Sequence, residues 1–283
     1  MNLEALGAHR FPTRRVSHTD KDTILYALSV GAGHDPLDAN QLRFVYETNL
    51  SALPTMAAVL AYPGSWIADP RFEVNFPKVL HGEQNLEMHK PLPATGELEA
   101  SYSVAAVVDK GEGKGALVYF EKLLKDASSG ESLCTVSSTL FLRGDGGCGS
   151  FGTPPAAATR TLGEINFIDE LRTPVNAALY YRLNGDRNPL HADPVAASKA
   201  GYDRPILHGL CTYGVVGYLL TRTVCNHEPS RIRSLGVRFS SPVYPGETIR
   251  VEGASSADGV QFQATVPERN QVVLSQGFAR IAF

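Results

Sequence analysis

The chain has 283 residues, of which 26 are Lys or Arg and 29 are Asp or Glu, so its formal charge is −3. Nucleic-acid-binding proteins carry a clustered positive excess, so this balance argues against that class. Hydrophobic residues make up 43% of the chain and charged residues 19%, which provides for a sizeable core. No run approaches the roughly 18 apolar residues of a membrane-spanning helix. The residues after Met1 lack an apolar core, so we expect no signal peptide.

The first half shows a helix-like region followed by three strand patterns. The helix-like region lies near residues 52–60. Alternating apolar and polar side chains predict strands at residues 101–108, 116–125 and 133–142. The glycine-rich run Asp109–Gly115 predicts the turn between the first two strands. A stretch rich in Gly, Pro and Ala, residues 144–158, then predicts a linker between two units.

The second half shows two helices followed by four strands. Residues 193–200 predict a short helix with Asp193 as its N-cap and Pro194 at its first position. Residues 209–225 are apolar on nearly every side, which predicts a long buried helix. The strands are expected at residues 234–239, 248–255, 260–266 and 272–283. A buried helix followed by an antiparallel meander indicates an α+β unit in which a sheet wraps a helix.

Three pairs of similar segments occur in the same order in both halves and indicate an internal duplication. The segment 26–37 resembles 181–190, His81-Gly82 resembles His208-Gly209, and 90–97 resembles 241–247. The interval from the first match to the second is 46 positions in one half and 20 in the other, so the halves have diverged. We expect a first repeat at 1–143, a linker at 144–158 and a second repeat at 159–283.

One segment gathers groups that suit acid–base chemistry. Asp186, Asn188 and His191 lie within six residues. A carboxylate and an imidazole that lie close together tune each other's proton affinity. A simpler interpretation also holds, because Gly-Asp and Asn-Pro are turn dipeptides that need no catalytic purpose. When Gly31 is aligned with Gly185, Ala32 takes the position of Asp186, which predicts that only the second half carries a catalytic site.

The motif from Tyr181 to His191, together with Pro205-Ile-Leu-His208-Gly209, resembles the signature of the MaoC-like (R)-specific enoyl-CoA hydratases. In the first half, Val79-Leu-His-Gly-Glu-Gln84, Pro91-Leu-Pro93 and Asp109-Lys-Gly111 are also similar to that family. The linker's Gly146-Gly-Cys148-Gly149 departs from the family's usual Gly-Gly-Phe-Gly. The resemblance implies a double hotdog fold, in which each of two repeats has a long helix wrapped by an antiparallel sheet.

The resemblance also implies roles for individual residues in the addition of water to a trans-2-enoyl-CoA. Asp186 and His191 match the catalytic pair, either of which is a candidate base, and Asn188 matches a residue that fixes the water. The Gly209 N–H matches the donor to the thioester oxygen, which gains charge in the transition state. Substrate-binding positions of the family match four further residues, Lys110, His81, Gly82 and Phe239. The reaction needs no metal and no cofactor.

Two other functions compete with this interpretation. A hotdog thioesterase would use a carboxylate to hydrolyse the thioester, and a non-catalytic acyl-CoA-binding protein would need no acid–base pair. The order of Asp186, Asn188 and His191 favours the hydratase. The negative net charge gives no basic surface for an acidic carrier protein, so we expect an acyl-CoA substrate, with medium to long acyl chains. We further expect no nucleic-acid or membrane partner, a homodimer, and a cytoplasmic location.

Overall fold

The structure, a computed structural model, describes residues 1–156, 160–257 and 259–282. The end of the expected linker, Ala157 and Ala158, lies outside the described residues. The strands are Arg14–His18 (β1), Val79–Met88 (β2), Gly96–Asp109 (β3), Ala116–Asp126 (β4), Ser132–Leu142 (β5), Phe151–Gly152 (β6), Phe167–Arg172 (β7), Ile232–Phe239 (β8), Thr248–Ser256 (β9), Gly259–Val266 (β10) and Gln271–Ile281 (β11). The α-helices are Leu3–Ala8 (α1), Asp20–Ser29 (α2), Ala39–Leu42 (α3), Ala177–Tyr181 (α4), Pro194–Lys199 (α5) and Gly209–Thr223 (α6).

All of these strands belong to one antiparallel sheet. Its order is β1-β3-β4-β5-β2-β8-β11-β10-β9-β7, and β6 pairs with β3 outside this path. The two halves of the chain join where β2 pairs with β8, with Leu86 opposite Leu235. The sheet therefore runs from one repeat into the other without a break.

The strand order is the same when it is read outward from the β2–β8 pair in either direction, which matches β2 with β8, β3 with β9 and β1 with β7. Two of the three sequence matches agree with this symmetry. The segments 26–37 and 181–190 both follow the outermost strand. The segment 90–97 leads from β2 into β3, and 241–247 leads from β8 to β9, which are the equivalent strands. The third match is wrong, because His81-Gly82 lies within β2 whereas His208-Gly209 begins α6. The intervals of 46 and 20 positions therefore end at elements that are not equivalent.

The predicted strands of both halves are confirmed, and so are the two predicted helices of the second half. Asp193 caps α5 as expected, since its carboxylate accepts the Val195 N–H at 2.8 Å. The first half differs at its centre. In place of a long helix it has a five-residue 3-10 helix, Pro54–Ala58. Only the second sheet half therefore wraps a full-length helix.

The central helix α6 packs on both halves of the molecule. A Cβ atom on Gly214 would lie 2.6 Å from Val30 Cγ1, and one on Gly217 would lie 2.5 Å from Thr55 Cγ2. These two glycines let first-half residues approach the helix backbone closely. Apolar side chains from both halves consequently form one core, which includes Tyr26, Phe44, Tyr213 and Leu235.

The linker begins on the first half of the sheet. Its residues Phe151 and Gly152 form β6, which pairs with Val107 and Ala106 of β3. Among the described helices, none is long and apolar enough to cross a membrane. The four cysteines are free thiols.

Candidate active site

The loop between Gly185 and Asp193 is braced by its own side chains. One Asp186 carboxylate oxygen accepts the Asn188 N–H at 3.1 Å, and the Asn188 Oδ1 accepts the Leu190 N–H at 3.0 Å. Asn188 thereby caps the 3-10 helix Pro189–His191, whose first residue is the proline. The segment therefore does form a turn, as its Gly-Asp and Asn-Pro dipeptides predicted. It places Asp186, which is half-buried, next to the buried ring of His191.

A hydrogen bond to a carbonyl determines the proton position on His191. Its Nδ1 lies 2.9 Å from the Ile206 carbonyl oxygen, and because a carbonyl only accepts, Nδ1 carries the hydrogen. The lone pair therefore lies on Nε2. Burial lowers the pKa of His191, against smaller opposite effects from the Ile206 hydrogen bond and the Asp186 charge. The ring is neutral at pH 7 and can accept a proton at Nε2.

A second buried histidine stacks on the first. The ring of His208 lies 3.8 Å from that of His191, between centroids, at an interplanar angle of 29°. Its Nε2 donates to the backbone carbonyl oxygen of Asp186 at 3.1 Å. Burial, followed by the neighbouring His191, lowers the pKa of His208 to about 4. The sequence motif contained His208, but sequence reasoning assigned it no role.

The first half contributes His81 to the same region. The His81 ring lies 4.8 Å from the Phe239 ring, between centroids, across the β2–β8 pair. A Cβ atom on Gly209 would lie 3.2 Å from the Phe239 ring. Burial lowers the pKa of His81 to about 4, and Asp186 is near enough to act on it electrostatically. His81, Gly209 and Phe239 are therefore brought together beside the Asp186 loop.

Gly82 occupies an irregularity of the sheet beside this group. The pairing of β2 with β5 shifts register between His81 and Glu83, so Gly82 lies at a β-bulge. A Cβ atom there would lie 3.2 Å from the Thr139 carbonyl oxygen. His81 is therefore the residue that immediately precedes the bulge in β2.

Lys110 lies apart from this group. It is exposed in the turn between β3 and β4, and β5 and β4 separate β3 from β2 in the sheet. The turn itself is tightly held, because the Asp109 carboxylate accepts the N–H groups of Gly111, Gly147 and Gly149 at 2.8–2.9 Å. The linker glycines thus fasten the turn that carries Lys110.

Sequence reasoning also missed two tyrosines. Burial, and then the charge of Asp186, raises the pKa of Tyr62 to about 12, so the two side chains interact electrostatically. The ring of Tyr181 lies 5.0 Å from that of His208, between centroids. Tyr181 was visible as the first residue of the repeated motif, whereas no sequence signal marked Tyr62.

The equivalent loop of the first half keeps the backbone and lacks the acid. Gly31 and Gly185 both adopt a positive φ, at +91° and +122°. Such angles are costly for residues with a side chain, so the shared glycine is explained by the shared turn. Ala32, which follows Gly31, is buried with 2% exposure. The first half therefore holds an apolar residue at the position of Asp186.

Asp186, His191 and His208 also offer a carboxylate and two imidazoles, whose ligand atoms all lie within 4.8 Å of one another. Metal sites need lone pairs that converge on one point. His191 Nδ1 and His208 Nε2 already donate to backbone carbonyl oxygens, so each imidazole has one lone pair left for a ligand bond. A neutral imidazole beside a carboxylate supplies the groups that acid–base chemistry requires.

Comparison with known proteins gives matches along most of the chain. Residues 16–144 match the MFE-2 hydratase 2 N-terminal domain, and residues 153–276 match the MaoC like domain. "Enoyl-CoA hydratase 2, peroxisomal" from Arabidopsis thaliana is 37% identical over 97% of this chain and 94% of its own length. "3-hydroxyacyl-thioester dehydratase Y" from Mycobacterium tuberculosis is 42% identical over 82% of this chain and 80% of its own length.

Solved structures support the same relationship. The MaoC-like dehydratase from Phytophthora capsici has a TM-score of 0.87 and 32% sequence identity, covering 100% of this chain and 99% of that chain. A Mycobacterium tuberculosis protein described as a double hotdog fold has a TM-score of 0.57 at 14% identity, over 97% of both chains, which confirms the fold alone. The chain is a double hotdog protein and belongs to the MaoC-like enoyl-CoA hydratase 2 family.

Proposed function

We propose that this protein adds water to trans-2-enoyl-CoA thioesters and gives (R)-3-hydroxyacyl-CoA products, a reversible hydro-lyase reaction of fatty acid metabolism. The observation that carries the proposal is the pairing of the Asp186 carboxylate with a neutral His191 whose Nε2 is free to accept a proton. Two relatives bear names for this activity, an enoyl-CoA hydratase 2 and a 3-hydroxyacyl-thioester dehydratase. The reaction requires no metal and no cofactor.

In the proposed mechanism one water molecule lies between Asp186 and His191. It donates one hydrogen to the carboxylate and the other to His191 Nε2, and its oxygen attacks C3 of the substrate. His191 takes the proton as the C3–O bond forms, and the double-bond electrons move onto the thioester. The proton then passes from Nε2 to C2, which restores the neutral imidazole. Asn188 holds the loop that carries both groups.

The thioester oxygen gains negative charge when water attacks C3. Gly209 is the first residue of α6, and the N–H groups of a first helical turn have no intrahelical acceptor. The positive end of the helix dipole adds to this donor. We assign the Gly209 N–H to the thioester oxygen. Its exposure to solvent leaves the donor accessible to a substrate.

We assign substrate binding to the first repeat and catalysis to the second. The first repeat, 1–143, retains the turn at Gly31 but has Ala32 in place of the acid, and the second, 159–283, follows the linker 144–158. His81, Gly82 and Phe239 line the site at the seam of the repeats, and Lys110 contacts the CoA portion. In the first repeat a buried 3-10 helix, Pro54–Ala58, stands in place of a long central helix, and on this difference between the repeats we propose medium to long acyl chains.

Substitution of Asp186 tests this assignment. Asp186→Asn keeps an Oδ1 acceptor for the Asn188 N–H and removes the charge, so the loop should stay folded. Asp186→Ala reproduces the residue of the first repeat. We expect each to lower kcat by at least about 10²–10⁴-fold, the range for a single acid–base group. Turnover is followed by loss of enoyl absorbance, with free thiol release recorded in parallel.

Asp193→Asn is the matched control. Asp193 lies on the same loop and accepts the Val195 N–H in the same way, at 2.8 Å, but it caps a helix. We expect its kcat to stay within about threefold of the parent. Asp186 variants that retain a tenth of the parental kcat would contradict the assignment. Thiol release without a hydroxyacyl product would indicate a thioesterase, and binding without either product would indicate an acyl-CoA-binding protein.

We also propose a homodimer with a cytoplasmic location. An apolar surface on and around α2 and α4 supports the dimer, since Leu28, Leu179 and Tyr180 are each about half exposed. The location is the less supported of the two proposals, since the Arabidopsis relative is named peroxisomal. Light scattering should give about twice 30.5 kDa, and a mass of 30.5 kDa would contradict the dimer. Fractionation of the source cells tests the location.

A further inference from the structure

Two segments that carry the candidate site are tied together by a reciprocal pair of hydrogen bonds. His191, on the catalytic loop, donates from Nδ1 to the carbonyl oxygen of Ile206 at 2.9 Å. His208, two residues after Ile206, donates from Nε2 back to the carbonyl oxygen of Asp186 at 3.1 Å. Each imidazole thus holds the backbone of the other's segment, and the two rings stack between the bonds.

We infer that His208 is a positioning residue that holds the Asp186 carboxylate, the His191 imidazole and the Gly209 N–H in one fixed arrangement. This inference rests on the proposed hydration. None of the steps of the proposed hydration uses His208 itself.

A hydrogen bond from His208 attaches the catalytic loop to the rest of the second repeat. The hydrogen bonds within the loop, from Asn188 to Asp186 and from Leu190 to Asn188, fix its internal shape but not its place on the protein. The bond from His208 connects the acid-bearing residue to the body of the second repeat. Because His208 is the N-cap of α6, the same residue also sets the position of the Gly209 N–H.

The ring of His208 also stacks on the ring of His191. A stacked partner at 3.8 Å limits rotation of the His191 ring, and this rotation would otherwise turn Nε2 away from the carboxylate. His208 is 1% exposed and neutral, so it supports the His191 ring without placing a positive charge beside it. The other groups that face His208 are the Tyr181 ring at 5.0 Å and Arg182, which acts on it electrostatically. No reacting atom needs to touch His208 in this role.

Graded substitutions separate the two contributions. His208→Phe keeps a flat ring for stacking and removes the donor to the Asp186 carbonyl. His208→Gln keeps an N–H donor and removes the ring. Displacing a catalytic group by about 1 Å costs roughly 10²-fold in rate, so we expect His208→Phe to lower kcat by about 10²-fold with KM within about threefold. His208→Gln should recover at least about tenfold of that loss.

The chain provides a matched control in His18. It is 3% exposed, and its Nε2 lies 2.9 Å from the Pro93 carbonyl oxygen. It belongs to the edge strand β1, where it pairs with Gly96 of β3, whereas the candidate site lies near the β2–β8 pair at the middle of the sheet. His18→Phe therefore removes the same kind of buried bond away from the site. We expect it to lower the melting temperature about as much as His208→Phe does, with kcat within about threefold of the parent.

The experiment measures kcat and KM on a trans-2-enoyl-CoA, melting temperatures, and the ¹⁵N spectrum of labelled histidines. We expect His191 to be protonated at Nδ1 in the parent, and its ring signals to shift and broaden in His208→Phe. The inference is overturned if His208→Phe keeps kcat within threefold, if His18→Phe loses kcat equally, or if the His191 signals are unchanged. A parent without hydratase activity would refute the proposed function instead, and the His191 signals would still test the positioning.

Discussion

At the scale of single residues, the proposed hydration depends on the protonation state of His191. Its Nε2 must be unprotonated to accept the water proton, and burial, the largest influence, lowers its pKa below the usual 6.5. Protonation therefore stops the reaction only in solutions more acidic than pH 6.5. The stacked His208, with a pKa of about 4, stays neutral over the same range.

We expect kcat to be level near pH 8 and its acidic midpoint, at which His191 gains a proton, to lie below pH 6.5. The measurement is kcat at saturating enoyl-CoA across this range, with the protein's fold followed by circular dichroism at each pH. A half-maximal kcat at or above pH 6.5 would show that the basic group titrates normally, which contradicts a buried neutral base.

Sequence reasoning reached some of these residues and not others. Asp186, Asn188 and His191 were accessible because one continuous segment holds them. The contact of His208 with that segment depends on how α6 is placed, and periodicity does not report this. Tyr62 interacts electrostatically with Asp186 although it belongs to the other repeat, 124 positions away. Such a long-range interaction carries no local signal.

At the scale of elements, the alternation of side chains predicted seven strands, β3 to β5 and β8 to β11, and missed the others. In β4, for example, Val118, Phe120 and Leu124 alternate with more exposed residues, and the buried Lys122 lies on the same face. β2 escaped prediction because its buried face begins with a polar residue, Gln84, which is 1% exposed and accepts a hydrogen bond from Ser138 at 2.9 Å. A buried polar side chain that is satisfied by neighbouring strands breaks the expected pattern.

The turn that carries Lys110 is held in place by hydrogen bonds from the linker to Asp109, and substitutions test whether this matters for binding. Asp109→Ala removes the acceptor of three backbone N–H groups, so the turn loosens. We expect KM for acyl-CoA to rise about tenfold, equivalent to roughly 1.4 kcal/mol, with kcat within threefold. Lys110→Ala should give the same change, and the double variant should add little. Lys114→Ala, in the same turn, is the control, and a rise in its KM equal to that of Lys110→Ala would contradict the role of Lys110.

The glycines of α6 test the packing between the repeats. Gly217→Ala puts a methyl group 2.5 Å from Thr55 Cγ2. Overpacking costs about 1–3 kcal/mol, and alanine returns about 1 kcal/mol through helix propensity, so we expect a net change between about zero and a loss of about 2 kcal/mol in the free energy of unfolding. Gly7→Ala in α1 has only the Phe151 ring at 3.6 Å nearby, so it should be neutral or stabilising. A Gly217→Ala protein that is more stable than the parent in urea by about 1 kcal/mol, the full gain in helix propensity, would refute the close contact.

At the scale of the whole molecule, a single sheet and a shared core join two repeats of unequal chemistry. Ala32 stands where Asp186 stands in the second repeat, and the first repeat lacks a long central helix. We therefore expect one acyl-CoA site per chain. Calorimetric titration with a saturated acyl-CoA, which cannot be hydrated, should give a stoichiometry of one per chain. Two equivalent sites would contradict the assignment of catalysis to the second repeat.

The duplication itself could be predicted from the sequence, but its correspondence could not be predicted in full. Segments of similar sequence at Gly31 and Gly185 also share a backbone turn. His81-Gly82 and His208-Gly209 share letters and stand in different elements, a strand and a helix start. Short matches identify related positions only when the elements around them agree.

The central claim is that Asp186 and His191 act on the substrate from one side, through a single water molecule. Hydration of a trans-2-enoyl-CoA in D₂O tests it most directly, with the configurations at C2 and C3 read from proton coupling and chiral analysis. We predict syn addition, with deuterium at C2 on the same face as the new hydroxyl group, and an (R)-3-hydroxyacyl product. Anti addition would contradict the one-sided geometry, and an (S) product would contradict the proposed function.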